Sequence, residues 1–365
     1  MASEILVNVG AVEIRAALIE DGVLEAYAAE PVFGGDARVG DIYLGRVTRV
    51  VPALQAAFVA IGKARDGFLS LRDAPAALHE GEAVAVRVTR QAEGEKGARL
   101  TARVALTSEQ QARRRGARPP ALLQAAPGPV EQALRDWKAD MIVTDDARWA
   151  ARLTIELAKD DLFLRHDLEE QIVLLRQRRV PLASGGWIVI EKTEGLTAID
   201  VNSGSFAASG GREETARLVN MEAAHEAARQ IRLRGTGGLI VMDFIQMAQG
   251  ADAVTEALCA SLARHPAAVD VLPMNSLGVA CMARQHVAAP FPDGSSVEAV
   301  AFDIVRAVER ASRAAPGREI TVRAAPQLVD WLAWPEVRGG LDRRGVGRVR
   351  YLAEMTRRED FDVST

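Results

Sequence analysis

Two carboxylates stand out for the runs they close. Asp200 ends LTAID and Asp243 ends GLIVMD. Each acid sits at the C-terminal tip of an apolar strand, the end at which open α/β sheets place their ligand crevices. If the strands are neighbours, the acids face each other a few ångströms apart, and bare carboxylates that close repel. A divalent cation removes the conflict. Mg²⁺ prefers oxygen ligands, keeps several waters, and binds through one or two carboxylates plus a substrate phosphate. Asn202 follows Asp200 by two residues. On a continuing strand it shares the same face, where its amide can orient a carboxylate or a phosphate oxygen. The competing reading makes each Asp a turn or cap residue; the matching pair, with Asn202, brings the two readings level.

The elements around the pair read as an α/β unit. WIVIEKTEGLTAIDVNSG and GGLIVMDFIQM are apolar runs, and REETARLVNMEAAHEAARQIRLRG between them has helical periodicity. That helix has an acidic first turn, a basic last turn and Gly235 to stop it. Another helix is expected over 251–264 and another strand within 271–285. Near the N-terminus, apolar runs over 4–30 reverse at Asp21-Gly22 and predict opening sheet strands. Residues 39–106 give five short strand-like runs punctuated by Gly, Pro and Asp, with EGEKG (Glu93 to Gly97) as a hairpin loop. That pattern predicts a small closed barrel of the OB type, an architecture that binds single-stranded nucleic acid. TSEQQARRRGARPP reads as a linker or exposed arm. MIVTDD is a short strand ending on acids, and from 295 onward helix and strand signals alternate in a compact α+β tail.

Composition narrows the class. With 365 residues, two or three domains are expected. Apolar residues at 48% and charged residues at 26% describe globular material rather than disorder or coiled coil. No apolar run is long enough to span a bilayer. MASEILVNVG lacks the basic segment of a secretory signal. Cys259 and Cys281 are the only cysteines, too few for a disulfide framework or a zinc knuckle. A cytoplasmic enzyme is the expectation. The net charge of −4 argues against a polyanion coat over the whole surface but leaves room for a local basic patch. Apart from Lys63, Lys96, Lys138, Lys159 and Lys192, every base is Arg. Arg forks suit phosphate, although a GC-rich genome produces the same bias.

Several of these stretches resemble the ribonuclease E/G family. The catalytic stretch of that family is similar to AIDVNSG followed by REETARLVNMEAAHEAARQIRLRGTGGLIVMDFIQM. The approach to its metal site is similar to SGGWIVIEKTEGLTAIDVNS. Its inserted RNA-binding barrel resembles IYLGRVTRVVPALQAAFVAIGKARDGFLSL and EGEKGARLTARVAL, and its short, G-type members end much like REDFDV. The resemblance covers most of the chain in the right order. It implies an RNase H-like/DNase I-like mixed-sheet catalytic core, an inserted OB-fold barrel and a small C-terminal α+β domain. The implied boundaries are 1–37 and 121–184 for the RNase H-like subdomain, 38–107 for the barrel, 108–120 for a basic linker, 185–292 for the DNase I-like subdomain and 293–365 for the tail.

The resemblance also implies an activity: Mg²⁺-dependent cutting of single-stranded RNA to 5′-phosphate and 3′-hydroxyl ends. Mn²⁺ is a candidate substitute. Asp200 and Asp243 would hold the metal, and Asn202 would support the scissile phosphate. Phe58 and Phe68 match family aromatics that contact an RNA base, against the bare reading that both are barrel core. Lys96 matches a basic contact, Arg90 stands where the family tends to have Lys, and Arg284 falls on a basic position after a strand. His225 reads as a helix surface or packing residue, and His166 and His286 take no role.

Two departures matter. Family members usually carry Cys-x-x-Cys after the MARQ-like segment and share one zinc between paired chains; here HVAAPFPDGSS follows, so no zinc is expected. A homodimer would then need the catalytic domain's own surface. Family members also have a much longer segment before 130, including an Arg-Thr pair that senses a 5′-monophosphate, which TSEQQARRRGARPPALLQ replaces. No membrane partner is expected, and no disordered tail points to a large degradation assembly. The rival readings are a catalytically inactive RNA-binding protein of the same fold and a sugar-kinase or actin-like ATPase, which the opening strands fit but for which GGREET is a weak phosphate loop.

Overall fold

The structure is a computed structural model. It describes residues 2–365 except 36, 75–76, 93–95, 159, 265–266, 286–290, 292–295, 356 and 358–359. His286, most of the EGEKG loop and most of HVAAPFPDGSS lie outside the described residues. The chain divides into two compact units, Phe33–Glu131 and the combination of Met1–Val32 with Gln132–Thr365. The class is mixed α/β with a closed barrel, as the sequence predicts.

In the unit Phe33–Glu131, five strands close on themselves. Ala56–Ala60 pairs with both Ile42–Val51 and Gly67–Ser70. Gly67–Ser70 runs parallel to Arg99–Thr101, which pairs with Ala83–Arg90, which returns to Ile42–Val51. Alternation drives the closure: Val47, Ala57, Val59, Leu69, Val86, Val88 and Leu100 point inward and form the core. Gly67 permits a close approach, since a Cβ there would lie 2.4 Å from a Leu100 methyl.

The stretch expected to be a linker is ordered instead. Ser108–Gly116 is a helix, and Ala121–Gln124 adds a sixth strand to the edge of Ile42–Val51. The physical cause is a capping box: the Thr107 hydroxyl accepts from the Gln110 amide, and the Gln110 side chain accepts from the Thr107 amide.

The other unit holds three sheets. The first has the order Glu156–Leu157, Met141–Thr144, Ser3–Val9, Glu13–Glu20, Val23–Pro31. The expected reversal is there, with Asp21 and Gly22 both at positive φ. Leu6 and Leu24 of this sheet share a buried cluster with Phe163, Leu168 and Ile172. A small sheet near the C-terminus joins Ile320–Ala324 to Val349–Ala353 and Asp362–Ser364, with the helix Val297–Ala314 beside it.

The remaining sheet carries the acids. Its order is Arg179–Pro181, Trp187–Lys192, Thr197–Asn202, Gly238–Asp243, Val279–Arg284, Val269–Val271. Only Thr197–Asn202 and Gly238–Asp243 run parallel, because the helix Arg212–Leu233 carries the chain back between them. One face is dry: Ile188, Ile190, Ile199, Val201, Ile240, Met242, Ala280 and Met282 meet that helix and Ala251–Leu262. Ala223, Ala224, Ala227 and Ala228 are fully buried, and their small side chains let the long helix lie close to its neighbours. Among the described residues no helix is long and apolar enough to cross a membrane.

Ile199 anchors the strand one residue before Asp200 and is 1% exposed. Ile199→Ala is expected to lower unfolding free energy by about 2–5 kcal/mol, read from urea denaturation followed by circular dichroism.

Candidate active site and nucleic-acid interface

Parallel pairing sets the geometry of the acids. Asp200 and Asp243 are register partners at the last paired position of their two strands. Side chains alternate across a sheet, so register partners emerge on the same face, on strands about 4.8 Å apart. Their inner neighbours Ile199 and Met242 are buried, which leaves both carboxylates exposed on the opposite, open face. Asn202 shares that face and its Nδ2 donates to Asp200 Oδ2 at 2.7 Å. Among the described residues neither carboxylate is in an ion pair with a Lys, Arg or His, and Asp200 has the Asn202 amide as its hydrogen-bond donor. Among those residues no group of three or more His, Cys, Asp or Glu side chains could hold a metal. The site therefore offers two carboxylates and an amide, a donor set that suits a hard cation retaining several waters and not a closed zinc cage.

The chain beyond Asp243 is held from the long helix. Asn220 is fully buried. Its Nδ2 donates to the Ile245 carbonyl at 2.7 Å and its Oδ1 accepts from the Ile245 amide at 3.0 Å. Glu213, in the first turn of the same helix, accepts from the amides of Ala248 and Gln249. These two clamps set the exit of the Asp243 strand. Sequence reading passed over both, because Asn220 and Glu213 look like ordinary members of an amphipathic helix.

Arg284 does not join the acids. It lies on the dry face of its strand, is 4% exposed, and Nη1 donates to the Thr236 carbonyl at 2.6 Å. Burial, with Arg232 nearby, pushes its guanidinium below the usual arginine range. Strand parity is the reason: Val279, not Ala280, partners Asp243, so even-numbered residues of this strand face the helices. An RNA contact by Arg284 is therefore withdrawn. His225 is exposed on the long helix, with Nδ1 2.8 Å from Ser261 Oγ, and His166 sits 4.0 Å from Glu4.

The barrel presents a second arrangement. Phe58 and Phe68 are half-buried register partners that point outward, away from the core, with ring centroids 6.2 Å apart and an edge-to-face angle of 87°. The register continues on both sides. Arg49 is opposite Phe58, with its guanidinium 4.7 Å from that ring centroid. Arg99 is opposite Phe68, 5.9 Å from its ring, and Arg90 is opposite Arg99. Five strands thus align Arg49, Phe58, Phe68, Arg99 and Arg90 in one outward row. Lys96 is exposed just before the Arg99 strand. Alternation alone would put Thr48 opposite Phe58. A bulge between Val47 and Arg49 brings Arg49 there, and another between Val88 and Arg90 turns Arg90 outward. Nothing in the sequence marks either bulge.

A model of the Ribonuclease E/G family matches residues 70–287. Ribonuclease G of Haemophilus influenzae is 27% identical to the chain, covering 99% of each. Its alignment runs over 488 positions, so that relative carries segments which this chain of 365 residues lacks. Ribonuclease G of Escherichia coli strain K12 is also 27% identical, over 92% of this chain and 93% of its own. Ribonuclease E of Haemophilus influenzae is 30% identical over 64% of this chain and 36% of its own length.

Asn220→Ala leaves the part-buried Ile245 amide and carbonyl without their side-chain partner. A loss of about 1–3 kcal/mol in unfolding free energy is expected, measured by chemical denaturation.

Proposed function

The chain belongs to the ribonuclease E/G family, and on that premise we propose that it is a metal-dependent endoribonuclease, a hydrolase of single-stranded RNA in RNA processing or decay. The observation that carries this reading is the parallel register of Asp200 with Asp243, two exposed carboxylates with no cationic side-chain partner among the described residues. In this reading they hold one Mg²⁺, for which Mn²⁺ can substitute, and zinc has no role. Asn202 keeps the Asp200 carboxylate turned toward the site through the 2.7 Å hydrogen bond and presents its amide to the scissile phosphate. Bound there, the ion supplies the charge that acidifies a water and offsets the charge growing on phosphorus. The open sheet face admits an extended strand, and the clamps on Ile245, Ala248 and Gln249 hold Asp243 in place while the phosphate changes geometry. Water adds to phosphorus in line, the bond to the 3′ oxygen breaks, and the products carry a 5′-phosphate and a 3′-hydroxyl.

Phe58 and Phe68 give nucleobases a stacking surface, worth roughly 1–3 kcal/mol per base and indifferent to sequence. Arg90 and Lys96 supply charge for the RNA backbone. A division into an RNase H-like subdomain, an OB-fold barrel, a DNase I-like subdomain (185–292) and a C-terminal domain (293–365) belongs to the same reading, with the expected barrel bounds 38–107 widened to the compact unit Phe33–Glu131 and the RNase H-like part reduced accordingly. The segment 108–120 replaces the longer 5′-sensing region. A homodimer would form through the catalytic unit's surface. The proposed setting is the cytoplasm.

Asp200→Asn and Asp243→Asn are each expected to slow cleavage of a single-stranded RNA oligonucleotide in Mg²⁺ at least about a hundredfold, roughly 2.7 kcal/mol in barrier. Chelation should abolish it, and end analysis should find 5′-phosphates. Undiminished cutting by Asp243→Asn contradicts the proposal. A substrate carrying a 5′-monophosphate should be cut less than about tenfold faster than its 5′-triphosphate counterpart, a barrier difference under roughly 1.4 kcal/mol. A larger advantage in competition kinetics restores a 5′-sensor.

A further inference from the structure

We infer that Arg49 and Arg99 bind RNA phosphates on either side of the Phe58–Phe68 pair, so that a single strand crosses the barrel along the outward row, perpendicular to its β-strands. The inference rests on the ribonuclease reading and adds to it two contacts and a direction.

Three observations carry it. First, both guanidiniums are exposed, and among the described residues neither has a carboxylate partner; each lies instead against a ring, Arg49 on Phe58 and Arg99 on Phe68. An arginine in cation–π contact with a ring keeps its N–H donors available, and its planar fork can grip a phosphate with two hydrogen bonds. The two cation–π contacts, at 4.7 and 5.9 Å from the ring centroids, therefore keep each fork beside one of the rings of the pair. Second, the row is uniform in character: two aromatics in the middle, arginines outside, no acid among the five. Neighbouring strands are about 4.8 Å apart, so the row spans roughly 19 Å, long enough for several nucleotides. Third, Arg90 and Arg99 are register partners. A phosphate lying between these two positions would meet two guanidinium forks rather than one. Basic grooves that follow the backbone, combined with stacked bases, are how proteins hold single strands without reading sequence.

The test is equilibrium binding of a fluorescent single-stranded oligouridylate to the whole chain in chelator, by anisotropy, between about 50 and 200 mM salt. Each phosphate contact to a single strand contributes about 0.7 to the slope of log affinity against log salt. Arg49→Ala and Arg99→Ala are each expected to bind more weakly at low salt and to flatten the slope by about that amount. Arg99→Lys should keep the wild-type slope. Phe58→Ala should weaken binding by a similar factor at every salt concentration and leave the slope alone. Thermal melting should show all four variants folded like the wild type. If Arg49→Ala and Arg99→Ala keep the wild-type slope while the wild type binds, the arginines only shield the rings and the inference fails, leaving the ribonuclease reading intact. If the wild type neither binds the oligonucleotide nor cuts RNA in Mg²⁺, both fail together.

Discussion

A parallel strand pair that sets two carboxylates at the same level is the constraint on which the rest of the molecule turns. Nothing in ordinary folding energetics rewards placing Asp200 and Asp243 at the same level on neighbouring strands. The arrangement persists because the dry face behind it is strongly stabilised. Ile199, Val201, Ile240 and Met242 are buried against two helices, and slipping either strand by one residue would turn that whole set out to solvent. Apolar burial thus fixes the register, and the register fixes the acids. The long helix both makes the parallel crossover and sends Asn220 and Glu213 back to hold the chain just beyond Asp243.

The barrel solves a different physical problem. Its core is small and mostly aliphatic, built from Val, Ala, Leu and Ile with Tyr43, and Phe58 and Phe68 are left on the outside. In the proposed function these half-buried rings, framed by guanidiniums, attract a single strand through charge and retain it through stacking. In the proposed function the barrel retains RNA without regard to sequence, and the sheet bearing the acids supplies the chemistry.

Much of this was legible in the residues. Strand tips ending on Asp, a helix with charged ends between them, and five short punctuated runs led to the acids, the crossover and the closed barrel. Phe58 and Phe68 were harder, because inward and outward aromatics look alike until strand parity is known; the small residues beside them, Ala57 and Gly67, turn out to face the core. Arg284 misled because its strand was legible and its parity was not. The row partner Arg49 stayed hidden behind a bulge, which shifts parity by one without leaving a mark in the sequence. The helix Ser108–Gly116 was missed despite its capping pattern, because a run of Arg followed by Pro-Pro resembles a linker more than a helix. Asn220 was invisible for another reason: its value lies wholly in a distant backbone segment it meets only after folding.

The most direct test of the central claim is a crystal of the chain soaked in Mn²⁺, read from its anomalous difference map. The account predicts one strong peak within coordination distance of both Asp200 and Asp243, lost in the Asp243→Asn protein. A map without density there, or a peak held by one of the two carboxylates while the other turns away, would contradict it.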